Sequence, residues 1–319
     1  MGEERVSGFT VRVAEPGDGA CIRSLHARVF GSEMSEAEWS WKFESNPDGR
    51  FGMVAVVDGR IVGNYAGWGM RFLVGGTPAL VYAVGDVATE PSARKLGGRH
   101  GVYRTMVDAF YGALAGRVPF CFGFPNDRAL SVSNRLAGTR TLHPIRQVLV
   151  DCAEFPEPPA GAGSGDFVDE SFDPLWDAAS RFLKNAPVRD RARVNWRFHA
   201  RPSRYYRMVW WKEAGRQRGW AVLSVSGQDA LVADFLGSER DGGDLAPLFA
   251  AAAAEARRMG ARRLVFWETP GGPGRDAIAR LAGERVGAGF VIAARILDEP
   301  RFEGVAEDLH LVPSLYDLV

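Results

Sequence analysis

Between Val87 and Gly101 the chain reads Val-Ala-Thr-Glu-Pro-Ser-Ala-Arg-Lys-Leu-Gly-Gly-Arg-His-Gly. Gly97, Gly98 and Gly101 allow a backbone to approach a ligand without interference from Cβ atoms. Arg94, Lys95 and Arg99 add fixed positive charge and donors suited to phosphate oxygens. The segment joins a predicted strand over residues 79–89 to a predicted helix over about residues 101–114, whose free N–H groups and partial positive charge favour an anion. Together these features suit a pyrophosphate; the plainer alternative is a glycine-rich turn with solvated basic residues. The spacing is neither a Walker loop nor a GxGxxG fingerprint, which disfavours nucleoside triphosphates and dinucleotides.

The elements that must position this loop follow from periodicity and turn chemistry. Residues 9–13 read as a short strand and Asp18 as the cap of a helix with Ile22, Leu25, Val29 and Phe30 on one face. A second helix over residues 35–43 carries Trp39, Trp41 and Phe43. Two apolar runs around Asp58-Gly59 predict a hairpin. Beyond the loop come an apolar run at residues 119–124, a turn at Pro125-Asn126, a helix over residues 128–137 and a strand over residues 145–151.

One segment then occurs a second time. Trp41-Lys42-Phe43, Pro47, Phe51, Met53 and Val54 reappear as Trp196-Arg197-Phe198, Pro202, Tyr206, Met208 and Val209, each pair 155 positions apart. Solenoid units run about 20–50 residues, so this period is one domain long. The expected division is a first domain over residues 1–152, a linker rich in Pro, Gly, Ala and Ser over 153–166, and a second domain over 167–319. The order of predicted elements in the second half matches the first. The segment corresponding to the glycine-rich loop carries Glu239, Asp241 and Asp244 against a single Arg240, and carboxylates repel a phosphate.

Composition narrows the classes. With 39 basic and 39 acidic residues the formal net charge is zero, which supplies no field for nucleic acid or an anionic membrane. No apolar run approaches the roughly 20 residues of a membrane span, and the polar start has no signal-peptide core. Cys21, Cys121 and Cys152 show no metal-ligand spacing and read as small buried apolar residues. The expectation is a cytoplasmic protein with no metal; the Gly, Ala, Arg and Val usage suggests a bacterial, high-GC source.

Arg94-x-x-Gly97 with Val87-x-x-x-Pro91 resembles the phosphate loop of the Gcn5-related N-acetyltransferases (GNAT). Arg99 stands where that family usually has Gly or Ala. The opening VRVAEPGDGACIRSLHARVF and the later FGFPNDRALSVSNRLAG are similar to the family's first strand and helix and to its later strand and helix. The repeated Trp-[Lys/Arg]-Phe segments resemble those of tandem members, in which a second Gcn5-like domain follows the first. The resemblance implies an α+β fold (an α/β mixed sheet) of two tandem GNAT-like domains, each a mixed, mostly antiparallel sheet flanked by helices, the second degenerate.

The resemblance further implies acetyl-CoA, or another acyl-CoA, on Arg94, Lys95, Leu96, Gly97, Gly98, Arg99, His100 and Gly101, with its pantetheine arm along Val87, Ala88 and Thr89 and with Asn126 nearby. Asp86 is the first candidate for the base that takes the acceptor's proton, with a salt-bridged carboxylate as its alternative; strand alternation places it on the face of Tyr82, Val84 and Ala88. Glu90 is the second candidate. The family's usual Tyr acid is replaced by Ser133, which could bind a water or the thiol, while Tyr82, Tyr103 or His100 could supply the proton. Trp68 and Tyr82 are candidate substrate contacts, with core roles as the alternative. The implied reaction is transfer of acetyl to a primary amine of a small molecule such as an amino sugar or natural-product intermediate. A carrier-protein thioester acyltransferase or decarboxylase, and an inactive CoA-binding scaffold, stand as alternatives, with the state monomer or homodimer.

Overall fold

The computed structural model describes residues 4–6, 8–98, 101–240, 242–243 and 245–316. Contacts along the chain draw two compact units. One comprises residues 1–70, 80–142 and 291–301; the other comprises residues 71–79, 143–290 and 302–319.

In the first unit, β1 (Glu4–Val6) and β2 (Phe9–Val13) precede α1 (Gly19–Phe30) and the single turn α2 (Glu36–Trp39). The hairpin β3 (Arg50–Val57) and β4 (Arg60–Val74) leads through β5 (Thr77–Thr89) and α3 (Val102–Leu114) to β6 (Phe120–Gly123), α4 (Asp127–Val132) and the first residues of β7 (Arg140–Asp151). The sheet order is β1-β2-β3-β4-β5-β6. Pairing is antiparallel from β1 to β4 and parallel between β5 and β6. Residues 293–296 then lie antiparallel on β6. Met106, Val107, Phe110 and Tyr111 of α3 bury one sheet face with Phe9, Val11, Met53, Ala55 and Val62. Removing such a ring from a close-packed core typically costs about 3–5 kcal/mol.

The second unit contains residues 143–151 of β7, β8 (Ala162–Gly165), α5 (Asp173–Ala179), β9 (Ala186–Pro187), α6 (Arg191–Val194), β10 (Arg207–Glu213), β11 (Arg216–Ser226), β12 (Asp229–Gly237), α7 (Leu245–Arg258), β13 (Arg263–Trp267) and α8 (Gly274–Ala279). It also holds the start of β14 (Glu284–Ile296), whose later residues are the strand on β6, and the end of α9 (Glu299–Phe302). Its order is β7-β13-β12-β11-β10-β8, parallel only between β12 and β13. Residues 72–73 of β4 pair with β9. The expected mixed, mostly antiparallel sheet with flanking helices is present. Among the described residues no helix is long and apolar enough to cross a membrane.

Four expectations need correction. The units are not the contiguous spans 1–152 and 167–319, because residues 143–151 pair with β13 while residues 293–296 pair with β6. The span 153–166 is not a bare linker: Ala162–Gly165 pairs with β10, and the Gly163 and Gly165 backbones lie so close to the Trp210 indole that a Cβ there would be 2.5–3.0 Å from it. Asp18 does not cap α1 through its side chain; its carboxylate accepts from both terminal nitrogens of Arg12 at 2.7 and 2.9 Å and from the Glu15 N–H. Cys121 and Cys152 are buried as expected, but Cys21 is exposed.

The repeated Trp-[Lys/Arg]-Phe segments have the same local structure. Ser35 and Asp190 each cap one helical turn, accepting from Glu38 N at 3.1 Å and Arg193 N at 2.8 Å. Each turn then widens to a π-turn, Ser40–Glu44 and Asn195–His199, closed by Ser45 N–H to Ser40 O at 2.8 Å and Ala200 N–H to Asn195 O at 2.9 Å. The wider turn directs three consecutive side chains inward. Trp41, Lys42 and Phe43 are buried in one copy, and Trp196, Arg197 and Phe198 in the other.

A fragment ending at residue 152 lacks the strand that covers β6 and leaves an unpaired edge. We expect that fragment to show no cooperative thermal transition in calorimetry, in contrast to the full chain. A sharp transition in the fragment would show that the first unit does without residues 291–301.

Candidate functional site

β5 and β6 are paired only at Tyr82↔Cys121 and Ala83↔Phe122. Beyond that point β5 continues to Thr89, whereas β6 ends at Gly123. The strands touch closely before they separate, since a Cβ on Gly123 would lie 2.9 Å from the Val84 carbonyl oxygen. Pro125 and Asn126 then turn the chain into α4, whose first turn Asn126 caps by accepting from Ala129 N–H at 3.0 Å. The main chain of residues 84–89 is therefore left without a β6 partner, an open strand edge able to hydrogen-bond an extended ligand.

The separation begins where β5 bends. Asp86 has φ +52°, a left-handed conformation that costs most L-residues about 1–2 kcal/mol but that Asp tolerates better than most. The bend breaks the expected alternation: Tyr82, Val84 and Val87 all pack on the α3 side, so Asp86 does not continue the face of Tyr82 and Val84. Its carbonyl accepts from Asn64 Nδ2 at 2.9 Å and lies 2.9 Å from His26 Nε2. That ring donates in its Nε2–H tautomer. Its carboxylate Oδ2 pairs with Lys42 Nζ from the first π-turn, and Oδ1 has no protein donor among the described residues. Burial lowers the pKa of His26, against the raising influence of Asp86. The Arg50 guanidinium, 4.9 Å from the Trp39 ring and 5.1 Å from Phe43, is also lowered by burial and held up by Asp18 and Asp86.

The glycine-rich loop leaves β5 through a short turn anchored by buried Ala93, with Ala93 N–H to Glu90 O at 2.9 Å and Leu96 N–H to Ala93 O at 3.1 Å. Gly97 and Gly98 have φ +77° and +56°, values that exclude most other residues. Gly101 opens α3, its carbonyl accepting from Thr105 N–H at 3.0 Å and Thr105 Oγ1 at 3.3 Å. A Cβ on Gly101 would lie 3.4 Å from the carbonyls of Leu96 and Gly98. Arg94 and Lys95 are exposed, and Arg94 Nε donates to Thr89 O at 3.2 Å. The N–H groups of Val102, Tyr103 and Arg104 have no intrahelical acceptor by helix geometry. This cradle of turned backbone, helix start and two cations suits a pyrophosphate. Arg99 and His100 lie outside the described residues.

The other expected residues fall into two groups. Val87, Ala88 and Thr89 lie on the open edge of β5. Glu90 instead holds the base of the loop: its carboxylate pairs with Arg60 at 3.1 Å and Arg28 at 3.5 Å, and its N–H bonds Val62 O. Ser133 Oγ donates to Leu130 O and accepts from Thr139 Oγ1, so its hydroxyl is engaged at the end of α4. Trp68 is buried, and Tyr82 belongs to the α3 core. Tyr103 packs against Tyr65, and burial raises its pKa to about 12. Tyr65 and Tyr111 share a buried hydroxyl pair at 2.8 Å. Lys42 was not singled out from sequence, although its place between two repeated aromatics was the available signal. Among the described residues no His, Cys, Asp or Glu cluster is placed to hold a metal ion.

The fold is that of the Gcn5-related N-acetyltransferases. Residues 10–131 match the model of an Acetyltransferase (GNAT) domain. Among solved structures, the chain is similar to a probable N-acyltransferase from Enterococcus faecalis, with a TM-score of 0.67 at 13% identity over 92% of this chain and 74% of that one. A GCN5-related N-acetyltransferase from Kribbella flavida gives 0.66 at 15% identity over 93% and 74%. The Saccharomyces cerevisiae N-myristoyltransferase, solved with myristoyl-CoA, gives 0.55 at 9% identity over 91% and 83%. No curated protein matches the sequence.

Two outcomes follow from the Asp86 cluster. Lys42→Met leaves a largely buried carboxylate without its cation; we expect a loss of about 2 kcal/mol in urea unfolding, below the 3–5 kcal/mol of a fully buried broken pair, partly restored in Lys42→Met/Asp86→Asn. His26, lowered by burial, stays neutral where an unfolded histidine near pKa 6.5 binds a proton. Its contribution to stability is thus full above about pH 6.5 and is lost as pH falls toward the folded value. Urea midpoints measured from pH 7 to pH 5 are expected to fall less steeply for His26→Gln than for wild type, by up to about 1.4 kcal/mol per pH unit.

Proposed function

We propose that the first unit is an acyl-CoA-dependent N-acyltransferase that moves acetyl from acetyl-CoA to a primary amine of a small molecule. The observation that carries this reading is the parting of β5 and β6 directly beside the glycine-rich loop and the start of α3. The loop and Arg94, Lys95 and Arg99 would hold the pyrophosphate, and the main chain at Val87 and Thr89 would pair with the pantetheine arm. The acceptor nitrogen attacks the thioester carbonyl as the C–S bond breaks. Asp86 takes the amine's proton through its free Oδ1, and main-chain N–H groups near Val87 stabilise the developing oxyanion. The thiolate leaves protonated, by Tyr82, Tyr103, His100 or a water held by Ser133.

The second unit reads as a related copy that has lost cofactor binding. The π-turn recurs at the 155-residue offset, but Glu239 occupies the corresponding loop, paired with Arg218. A catalytically silent CoA-binding protein is the second reading. It is favoured by the engagement of Asn126 and Ser133 in α4 and of Asp86 with Lys42.

Calorimetry with acetyl-CoA separates these readings when combined with a thiol-release assay over amino sugars and other small amines. Micromolar binding to wild type, at least tenfold weaker in Arg94→Ala/Arg99→Ala, together with amine-dependent thiol release is expected. Binding without release for any amine would select the silent reading, and no binding to wild type would end both.

A further inference from the structure

A cavity of about 600 Å³ opens within the second unit, lined among others by Lys184, Arg240, Gly272, Glu303, Asp308 and His310. His310 is 2% exposed, and among the described residues neither Nδ1 nor Nε2 has a hydrogen-bond partner. A buried polar group left unpaired costs about 1–3 kcal/mol, and native structures rarely keep one without a ligand, water or function to explain it.

The backbone around this ring is firmly held. His310 N–H donates to Asn185 O at 2.8 Å, and Asn185 Oδ1 accepts from Gly75 N–H at 2.9 Å. On either side of His310, buried Thr269 Oγ1 donates to Leu309 O at 3.0 Å and accepts from Leu311 N–H at 2.8 Å. The space beside the ring depends on glycine: a Cβ on Gly272, at φ +70°, would lie 2.5 Å from His310 Nδ1. Burial and the nearby Arg189 lower the His310 pKa well below the usual histidine range, so the ring is neutral and offers one donor and one acceptor.

The rim carries both signs of charge. Lys184, Arg240, Arg275 and Glu303 are exposed and Asp308 is half-buried. Arg275 pairs with Asp276, which lies outside the cavity. Among the described residues no ion pair joins Lys184 or Arg240 to Glu303 or Asp308. Asp308 is within electrostatic reach of Arg275 and 3.5 Å from the Gly272 N–H. The rim charges without a rim partner among the described residues are therefore Lys184, Arg240 and Glu303, a set that suits a ligand carrying both signs.

From this arrangement we infer that the second unit binds a small zwitterion of the α-amino-acid class, its carboxylate toward Lys184 and Arg240, its ammonium toward Glu303, and a polar group on His310. The cavity belongs to the second unit alone, and its assignment does not rest on acyl-CoA binding by the first.

The test is thermal unfolding of the full chain with each of the twenty protein amino acids at millimolar concentration, and with acetate and methylammonium as single-charge controls. At least one amino acid is expected to raise the melting temperature by about 5 °C at a hundredfold excess over its Kd, with neither control doing so. The rim variants Lys184→Met and Glu303→Gln should keep the unliganded melting temperature and lose the shift. For the active amino acid, the imidazole ¹⁵N resonances of His310, assigned with His310→Gln, should move on addition. A shift kept in both rim variants, unmoved His310 resonances, an equal shift with acetate alone, or no shift with any amino acid would each overturn the proposal.

Discussion

The geometry of the first unit depends on holding Asp86 in a left-handed conformation in the middle of a strand. A lone residue there is disfavoured, and this one is held from three directions: by His26 of α1, Asn64 of β4 and Lys42 of the π-turn. The carbonyl is tied by the ring and the amide, while the carboxylate meets the ammonium. With that bend, Val84 and Val87 share a face that strict alternation would deny them, and β5 parts from β6 after two residue pairs. The open edge and the loop beyond it are therefore properties of a network, not of the loop residues alone.

The π-turn explains why the same three-residue pattern occurs twice. An extra residue in the turn brings a cation inward between two aromatic rings, where burial demands a partner. In the first copy the partner of Lys42 is the strand carboxylate of Asp86. In the second, Arg197 instead donates to the carbonyls of Ser314 and Tyr316 at 3.2 and 2.9 Å. The strand carboxylate of Asp234 is satisfied by Arg189, the Phe235 N–H and the Ser314 hydroxyl. Asp234 is thus saturated and buried, whereas Asp86 keeps one oxygen without a protein donor among the described residues. This difference, with the acidic loop of the second copy, supports the proposal that acyl transfer belongs to the first unit.

The local backbone around the candidate site was partly legible in the chain. The glycines at 97, 98 and 101 imply a turn with close backbone approach before a helix, and the chain does turn there, through positive φ at Gly97 and Gly98, and open α3 at Gly101. Val87 to Thr89 were placed on a strand by their apolar run, and the strand is there. The side chains of Ser133, Glu90 and Asn126 were not legible, since their partners Thr139, Arg28, Arg60 and Ala129 are selected by packing and by the end geometry of short helices. Trp68 could be read as core or as contact; its position in β4 buries it.

By itself the sequence determined the repeat, the loop and most strands and helices of the first unit, because these follow from local spacing, turn residues and side-chain periodicity; it did not reveal β1, β8 or β9. The tertiary structure decided which strands complete which unit, the flip of the chain at Asp86, the Lys42 ion pair and the unpaired His310. Those features join residues up to about 180 positions apart, such as Phe120 with Ile296. No local pattern records them, since a strand edge or a buried charge takes whichever complementary partner folding brings to it.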